Sequence, residues 1–217
     1  RNVAITASGI GNVTPNGGAG IAVEPSAQGN KFSGNAFGQN GGLGIDLLEP
    51  GNIPGVTLND TGDADSGANG QQNFPVELIL FPERTQVEGT LRSTPNKTFR
   101  INLYTGPKCH PCGFGGEVAP LATRDADPVL DRPGEYTFGF DLGVSLPVGA
   151  VVTATADGPD GTSEFSACAT EFGVTPTTVP GTCAGASSTT STSSSSTTTS
   201  STSAPTTTSI GPTTTTH

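Results

Sequence analysis

Tryptophan and methionine are absent from the 217 residues, and tyrosine occurs only at Tyr104 and Tyr136. Sugar-binding platforms usually need exposed aromatic faces, so this shortage disfavours a carbohydrate-binding module. Basic residues are also scarce, since nine Lys and Arg stand against 19 Asp and Glu and leave a net charge of −10. So acidic a chain is poorly suited to nucleic acid and to anionic membrane surfaces, which both attract Lys and Arg.

Histidine occurs only at His110 and His217, which leaves little material for a catalytic site. A Ser-His-Asp or Cys-His site would have to use His110, in a Gly- and Pro-rich loop beside two cysteines. No Gly-rich phosphate loop with a Lys occurs, and no apolar run approaches the roughly 20 residues of a membrane helix. We therefore predict no enzyme activity and no membrane span. Because the chain begins at Arg1 without a visible signal peptide, we interpret it as processed or as a fragment.

Residues 1–58 contain an internal repeat that predicts the terminal coils of a parallel β-solenoid. Its copies, N-G-G-A-G-I-A-V and N-G-G-L-G-I-D-L, begin at Asn16 and Asn40, which gives a repeat length of 24 residues. The apolar residues at the end of each copy alternate with Ala22 or Asp46, which is typical of a short strand with one buried face. Short strands, Asn-Gly corners and a period in the low twenties favour a solenoid over a meander of hairpins, the alternative.

Two coils are too few to bury their own faces, because roughly three repeats are needed for stability. We therefore expect either further coils upstream of Arg1 or a second subunit that covers the exposed end by self-association.

Residues 59–75 form an acidic junction loop that we predict to bind calcium. The predicted ligands are Asp60, Asp63, Asp65 and Asn69, interleaved with glycines that allow the backbone to turn tightly. Asp46, expected on the outward face of the last repeat strand, could join them. The alternative is a solvated turn in which the Asp and Asn side chains cap their own backbone.

Residues 76–170 are predicted to form an immunoglobulin-like β-sandwich, because seven short strands separated by turn signals fit this fold. The chain is therefore expected to be all-β. The predicted strands are Val76–Phe81, Gln86–Leu91, Thr98–Tyr104, Val118–Thr123, Glu135–Leu142, Ala150–Ala156 and Ser163–Ala169.

Residues 171–217 begin Pro/Thr-rich and then become almost entirely Ser and Thr. Such a segment cannot offset its ordering entropy by burial, so we predict an extended or disordered stalk that carries O-linked glycans. An ordinary linker to a further domain is a compatible alternative. A separate N-glycosylation triplet, Asn96-Lys97-Thr98, lies in a predicted turn.

The four cysteines are even in number, which together with the mucin-like tail favours two disulfides and an extracellular or cell-surface location. Cys109 and Cys112 have C-x-x-C spacing, but a zinc site would need a second such pair. A thioredoxin-like redox motif would need a βαβ context that the sequence lacks.

Four motifs together carry a family resemblance: G-N-K-F-S-G-N at 29–35, N-G-G-L-G-I-D-L at 40–47, the acidic loop, and S-E-F-S-A-C at 163–168. They resemble the C-terminal end of secreted bacterial right-handed parallel β-helix repeat proteins, in which a β-sandwich follows the β-helix. The resemblance covers residues 11 to about 170 and departs at Cys112, at Cys183 and in the tail. It implies that Cys109 pairs with Cys168, and we expect the two departures to pair with each other.

The resemblance implies a secreted or surface-exposed protein but no single reaction, because β-helices host lyases, adhesins and inert stalks alike. We therefore expect an extracellular or cell-surface structural protein, such as a stalk, an adhesin-like scaffold or a filament subunit. The alternative is a non-catalytic C-terminal module of a secreted polysaccharide lyase or hydrolase.

Overall fold

A computed structural model describes residues 3–4, 17–171, 173–174 and 183, with residues 3–4 and 173–174 described by their backbone alone. The chain divides into two compact units, Arg1–Ser187 and Ser188–His217, and every described residue belongs to the first. Of the predicted stalk, 171–217, only residues 171, 173–174 and 183 are described, and the Ser/Thr-rich part from 184 onward lies outside the described residues. The described part of the chain is all-β, and its one helical element is a 3-10 turn at Ala68–Gln71.

The strands form three sheets. A small sheet contains β1 (Val3–Ala4), β2 (Ile21–Val23) and β3 (Ile45–Leu47). A four-stranded sheet has the order β4-β5-β9-β8, with β4 (Val76–Leu80), β5 (Gln86–Arg92), β8 (Asp127–Pro128) and β9 (Glu135–Asp141). A six-stranded sheet has the order β13-β12-β10-β6-β7, with β11 paired to β10; its strands are β6 (Arg100–Cys109), β7 (Gly116–Asp125), β10 (Val151–Gly158), β11 (Gly161–Thr162), β12 (Ala169–Thr170) and β13 (Gly173–Val174).

The two copies of the sequence repeat pair with each other in parallel. Ile21 lies opposite Ile45 and Val23 opposite Leu47, so β2 and β3 are offset by one repeat of 24 residues. The stacking extends into the glycine motif, where the Gly42 amide donates to the Gly18 carbonyl at 3.0 Å. On the other edge of β2, β1 runs antiparallel, whereas a preceding repeat would add there in parallel.

The main core lies between the four-stranded and six-stranded sheets, which together we call the two-sheet body. Alternation on β5 and β9 sends every second side chain inward, which buries Val87, Leu91, Phe138 and others against β6 and β10. This inward face explains why period-2 alternation predicts these strands well.

Residues 17–47 carry the two copies of the repeat, and we call them the repeat segment. The repeat segment packs on the outer face of the six-stranded sheet. Phe37 contacts the rings of Tyr104 and Phe165 edge to face, with ring centroids 6.3 and 5.0 Å away. The backbone of Phe37 also bonds to Val118 of β7 in both directions. Because β10 is covered on both faces, by the main core and by this second core, all eight of its residues are buried.

Six of the seven strands predicted in residues 76–170 are present, although β6 runs on to Cys109. The predicted strand Ser163–Ala169 is wrong, because residues 163–168 lie between β11 and β12 without forming a strand. Serine side chains replace part of the ladder there: the amides of Ala156 and Ala154 donate to the hydroxyls of Ser163 and Ser166, both at 2.9 Å. β13 lies beyond residue 170, within the segment predicted as stalk.

Candidate functional site

The acidic junction loop is fastened by its own asparagines. Asn59 exchanges two hydrogen bonds with the backbone of Phe74, at 2.8 and 2.9 Å. Asn73 donates to the carbonyls of Asp60 and Arg92 at 2.9 and 2.8 Å, and its oxygen accepts the Asp60 amide at 3.1 Å. These bonds bring the two ends of the loop together and tie them to the end of β5.

Three carboxylates converge within this loop, and we call Asp60, Asp63 and Asp65 the acidic cluster. One oxygen from each lies within 4.8 Å of the others. Asp60 accepts the Ala64 amide and closes the turn, while Gly62 and Asp63 adopt positive φ values of 79° and 56°. The sharp reversal that points the three side chains at one place therefore depends on left-handed backbone, which glycine adopts without strain.

The members of the acidic cluster have different hydrogen-bond partners. Asp63 accepts the Asn73 amide at 2.9 Å, the Gln72 side chain at 2.7 Å and the Ser93 hydroxyl. Oδ1 of Asp65 is shielded from solvent and has no hydrogen-bond partner. Asp63 thus supports the loop, whereas Asp65 presents an oxygen with free lone pairs.

The electrostatics of the acidic cluster are unfavourable without a cation. Burial raises the pKa of Asp65 to about 6, and the negative charges of Asp60 and Asp63 add to the increase. Burial also raises the pKa of Asp63, against the hydrogen bonds from Ser93 and Asn73. Among the described residues, no Lys, Arg or His forms an ion pair with these carboxylates. Hard cations such as Ca²⁺ prefer carboxylate oxygens of this kind.

Asn69, the fourth predicted ligand, is engaged elsewhere. It is completely buried, and its Oδ1 accepts two bonds from Asn30 while its Nδ2 donates to the carbonyls of Asn30 and Thr162. Both ends of its amide therefore join the repeat segment to β11, and its oxygen already accepts two hydrogen bonds from Asn30.

Asp46 was expected on an outward face, and this expectation is wrong. It is only 2% exposed, and its Oδ1 accepts the Gly55 amide at 3.3 Å. The segment after β3 folds back over it, so a residue on the polar side of the strand is buried. Burial raises its pKa to about 6.

Glu164 is a buried carboxylate that sequence reasoning did not single out. It is 2% exposed, and its two oxygens accept the amides of Leu47 at 2.8 Å and Thr57 at 3.0 Å. The one signal in the sequence is a lone charge within Ser163–Cys168, a run otherwise made of small and apolar residues.

Two disulfides join Cys109 to Cys168 and Cys112 to Cys183, and no cysteine is free. This is the pairing that the sequence analysis predicts. Cys183, in the segment predicted as stalk, is completely buried in a small core with Leu43, Phe74 and Phe114. Disulfides of this kind indicate that the chain folds outside a reducing compartment.

His110 stands beside the second disulfide rather than beside a nucleophile. Its Nδ1 accepts the Cys112 amide at 3.3 Å and lies 3.0 Å from the Cys112 sulfur. It borders a cleft of about 240 Å³ together with Lys108 and Glu117. Burial lowers the pKa of His110.

The sequon at Asn96 lies in an exposed turn after β5. By contrast, the amide of Asn59, in the sequon Asn59-Asp60-Thr61, is bound to the Phe74 backbone. Within the described residues, no helix is long and apolar enough to span a membrane.

Searches of known proteins found no family model that matches the chain and no curated protein that it resembles at a significant level. The resemblance to β-helix repeat proteins therefore stays a prediction, and the case for any function depends on the geometry described above.

Proposed function

We propose that this chain is an extracellular or cell-surface structural protein in which the end of a parallel β-solenoid is fused to an immunoglobulin-like sandwich. The observation that carries the proposal is the parallel pairing of β2 and β3, offset by one sequence repeat. Stacking of identical units in register is the way that solenoids grow, and their ends need a cover. Here the cover is the junction loop and the six-stranded sheet.

The strand order supports the immunoglobulin-like part of the proposal. Immunoglobulin-type domains place strands A-B-E-D in one sheet and C, F and G in the other, where variable-type domains add C′. The order β4-β5-β9-β8 corresponds to A-B-E-D, and β12-β10-β6-β7 corresponds to G-F-C-C′. The chain differs from antibody domains in its disulfides, which lie at one end of the body rather than across its core.

An extracellular location is supported by the two disulfides and by the composition of the tail. Both cross-links are buried or half-buried at the end of the body, where they close long stretches of chain. The Ser/Thr-rich tail then serves as a glycosylated stalk or tether, and the exposed Asn96 as an N-glycan acceptor.

Calcium at the acidic cluster would stiffen the junction. Asp60, Asp63 and Asp65 supply three carboxylates, and the unpartnered Oδ1 of Asp65 favours a cation over a plain capped turn. Asp63 is tied to Ser93 at the end of β5, so a cation bound there would link the loop to the two-sheet body. The role proposed for the cation is structural, because it would restrict motion of the loop against the two-sheet body.

A panel of polysaccharides tests this proposal against its alternative, a non-catalytic module of a secreted lyase or hydrolase. The purified chain is incubated with each polymer, and reducing ends and unsaturated products are measured. We expect neither turnover nor retention on immobilised polymer. Turnover abolished by one point substitution would contradict a structural role, and specific retention without turnover would favour the accessory module.

A further inference from the structure

Glu164 connects three parts of the molecule through one carboxylate. Leu47, whose amide it accepts, ends β3 of the repeat stack, and Thr57 lies in the segment that leads to the acidic loop. Glu164 itself belongs to the segment held along β10 by Ser163 and Ser166. Both hydrogen bonds, from the Leu47 amide and from the Thr57 amide, are fully buried, so water cannot replace them.

The surroundings of Glu164 are acidic. The charged groups that act on it are Asp46 of β3 and Glu49 of the following hairpin. Asp46 is as deeply buried as Glu164, and its own partner is a backbone amide. In the part of the chain that the structure describes, none of these three carboxylates has an ion pair with Lys, Arg or His. Two buried carboxylates without a counter-charge are costly to ionise together.

We propose that Glu164 and Asp46 form a proton-dependent lock between the repeat segment and the two-sheet body. While the pair keeps one proton, on Asp46, the Glu164 carboxylate accepts the amides of Leu47 and Thr57 with its two oxygens, and Oδ1 of Asp46 accepts that of Gly55, without repulsion between like charges. When both groups ionise, like charges meet in a desolvated site. The junction then relaxes by letting water reach the pair, and the contacts at Leu47 and Thr57 loosen.

The direction of the pH response follows from the two carboxyl groups. Burial raises the pKa of Asp46 from 3.8 to about 6, against the hydrogen bond from Gly55. Burial also raises the pKa of Glu164 well above its ordinary value, against the hydrogen bonds from Leu47 and Thr57, and the Asp46 charge adds to the increase. A folded-state pKa above the unfolded value means that the protonated fold is favoured. The stabilisation of the fold by protonation of this site is complete below pH 3.8 and is lost as the pH rises through about 6 and beyond. The lock is therefore closed in acid and loosens toward neutral and alkaline pH.

Amide hydrogen exchange of the full chain with intact disulfides tests the lock. NMR measures protection at pH 5 and pH 8, corrected for intrinsic exchange, with a chelator present so that calcium at the acidic cluster does not contribute. In the native sequence we expect the protection of Leu47 and Thr57 to fall about tenfold or more at pH 8 relative to that of Ile101 in β6. A fall of tenfold corresponds to one pKa unit of coupling.

Asp46→Asn is the decisive variant, because it removes one charge while keeping an acceptor for Gly55. It should make the fall in the protection of Leu47 and Thr57 at pH 8 much smaller than in the native sequence, because the Asp46 charge is removed while the burial of Glu164 remains. Glu164→Gln replaces one of two acceptors with a donor and is expected to weaken folding, so the result does not depend on it. Glu88→Gln, at an exposed carboxylate on β5, is the matched control and should keep the native pH response. Equal protection at both pH values in the native chain, or an unchanged pH response in Asp46→Asn, would overturn the proposal.

Discussion

At the scale of single residues, the repeat depends on glycines for closeness as well as for turning. A Cβ added to Gly44 would lie 2.7 Å from the ring of Phe165, and one added to Gly20 would lie 2.8 Å from the Gly44 carbonyl. The fifth position of each N-G-G-x-G motif therefore allows close packing, of Gly20 against the second copy of the repeat and of Gly44 against Phe165. Local pattern assigns the Asn-Gly pairs to corners, whereas the need for a glycine at the fifth position follows only from the tertiary contact.

Replacing Gly44 with Ala should destabilise the chain by about 1–3 kcal/mol, because the new methyl group meets an aromatic ring that is itself packed by Phe37 and Tyr104. Gly17→Ala is the matched control, since a Cβ there meets no atom within 4 Å. The measurement is the free energy of unfolding in urea with both disulfides intact. Equal losses in the two variants would show that backbone propensity, rather than the close approach, sets the cost.

At the scale of elements, the segment Ser163–Cys168 uses side chains in place of a strand. A strand was predicted at Ser163–Ala169 as one of seven short segments separated by turn signals. The hydroxyls of Ser163 and Ser166 instead take the amides of Ala156 and Ala154, while their own amides donate to the carbonyls of the same two alanines. Both serines turn toward β10 although they are three residues apart, which the period of two in a regular strand does not allow.

Ser166→Ala should cost about 1–3 kcal/mol, because the buried Ala154 amide loses its acceptor. Hydrogen exchange at Ala154 should accelerate together with the loss of stability. Ser145→Ala, which removes an exposed hydroxyl that donates to Glu83, should change the free energy of unfolding by under about 0.5 kcal/mol. An unchanged exchange rate at Ala154 would show that water or another group replaces the hydroxyl.

The acidic loop is the other element with a measurable response. Millimolar calcium at pH 7.5 should raise the melting temperature relative to chelator, with about 2.7 kcal/mol of stabilisation at a hundredfold excess over the dissociation constant. Asp65→Asn should abolish this gain, and it is a cleaner change than one at Asp63, which supports the loop through three hydrogen bonds. Asp131→Asn, at an exposed position, should keep the gain.

The calcium response should also depend on pH. Because the folded pKa of Asp65 is raised from 3.8 to about 6, protonation stabilises the metal-free loop in acid, and this contribution is lost as the pH rises through about 6. Protons therefore compete with the cation, and the gain in melting temperature should shrink between pH 7.5 and pH 5. Identical melting curves with calcium and with chelator at pH 7.5 would leave the loop as a capped turn.

At the scale of the whole molecule, local pattern predicted the parts and missed how they join. The repeat period predicted the parallel offset of β2 and β3, and alternation predicted the strands of the two facing sheets. The seating of the repeat segment on the six-stranded sheet was not predicted, because it depends on contacts between residues far apart in sequence, such as Phe37 with Val118. For the same reason neither the burial of Asp46 nor the hydrogen bonds of Glu164 could be predicted from the sequence.

The candidate site was partly predictable for a related reason. Three Asp residues within six positions must lie close together in any tight loop, so the acidic cluster was readable from spacing alone. Asn69 fits the same spacing, but it is drawn into a buried contact with Asn30 and Thr162 that spacing does not encode. Sequence spacing therefore predicted that the three carboxylates lie together, whereas the hydrogen-bond partners of the Asn69 amide depend on tertiary packing.

The most direct test of the proposed structural role is the location of the protein on its native cells. An antibody raised against the two-sheet body is applied to intact cells and, in parallel, to permeabilised cells. The account predicts labelling of intact cells, or of material outside them, and recovery of the chain with both disulfides formed. Labelling that occurs only after permeabilisation would contradict an extracellular or cell-surface structural role.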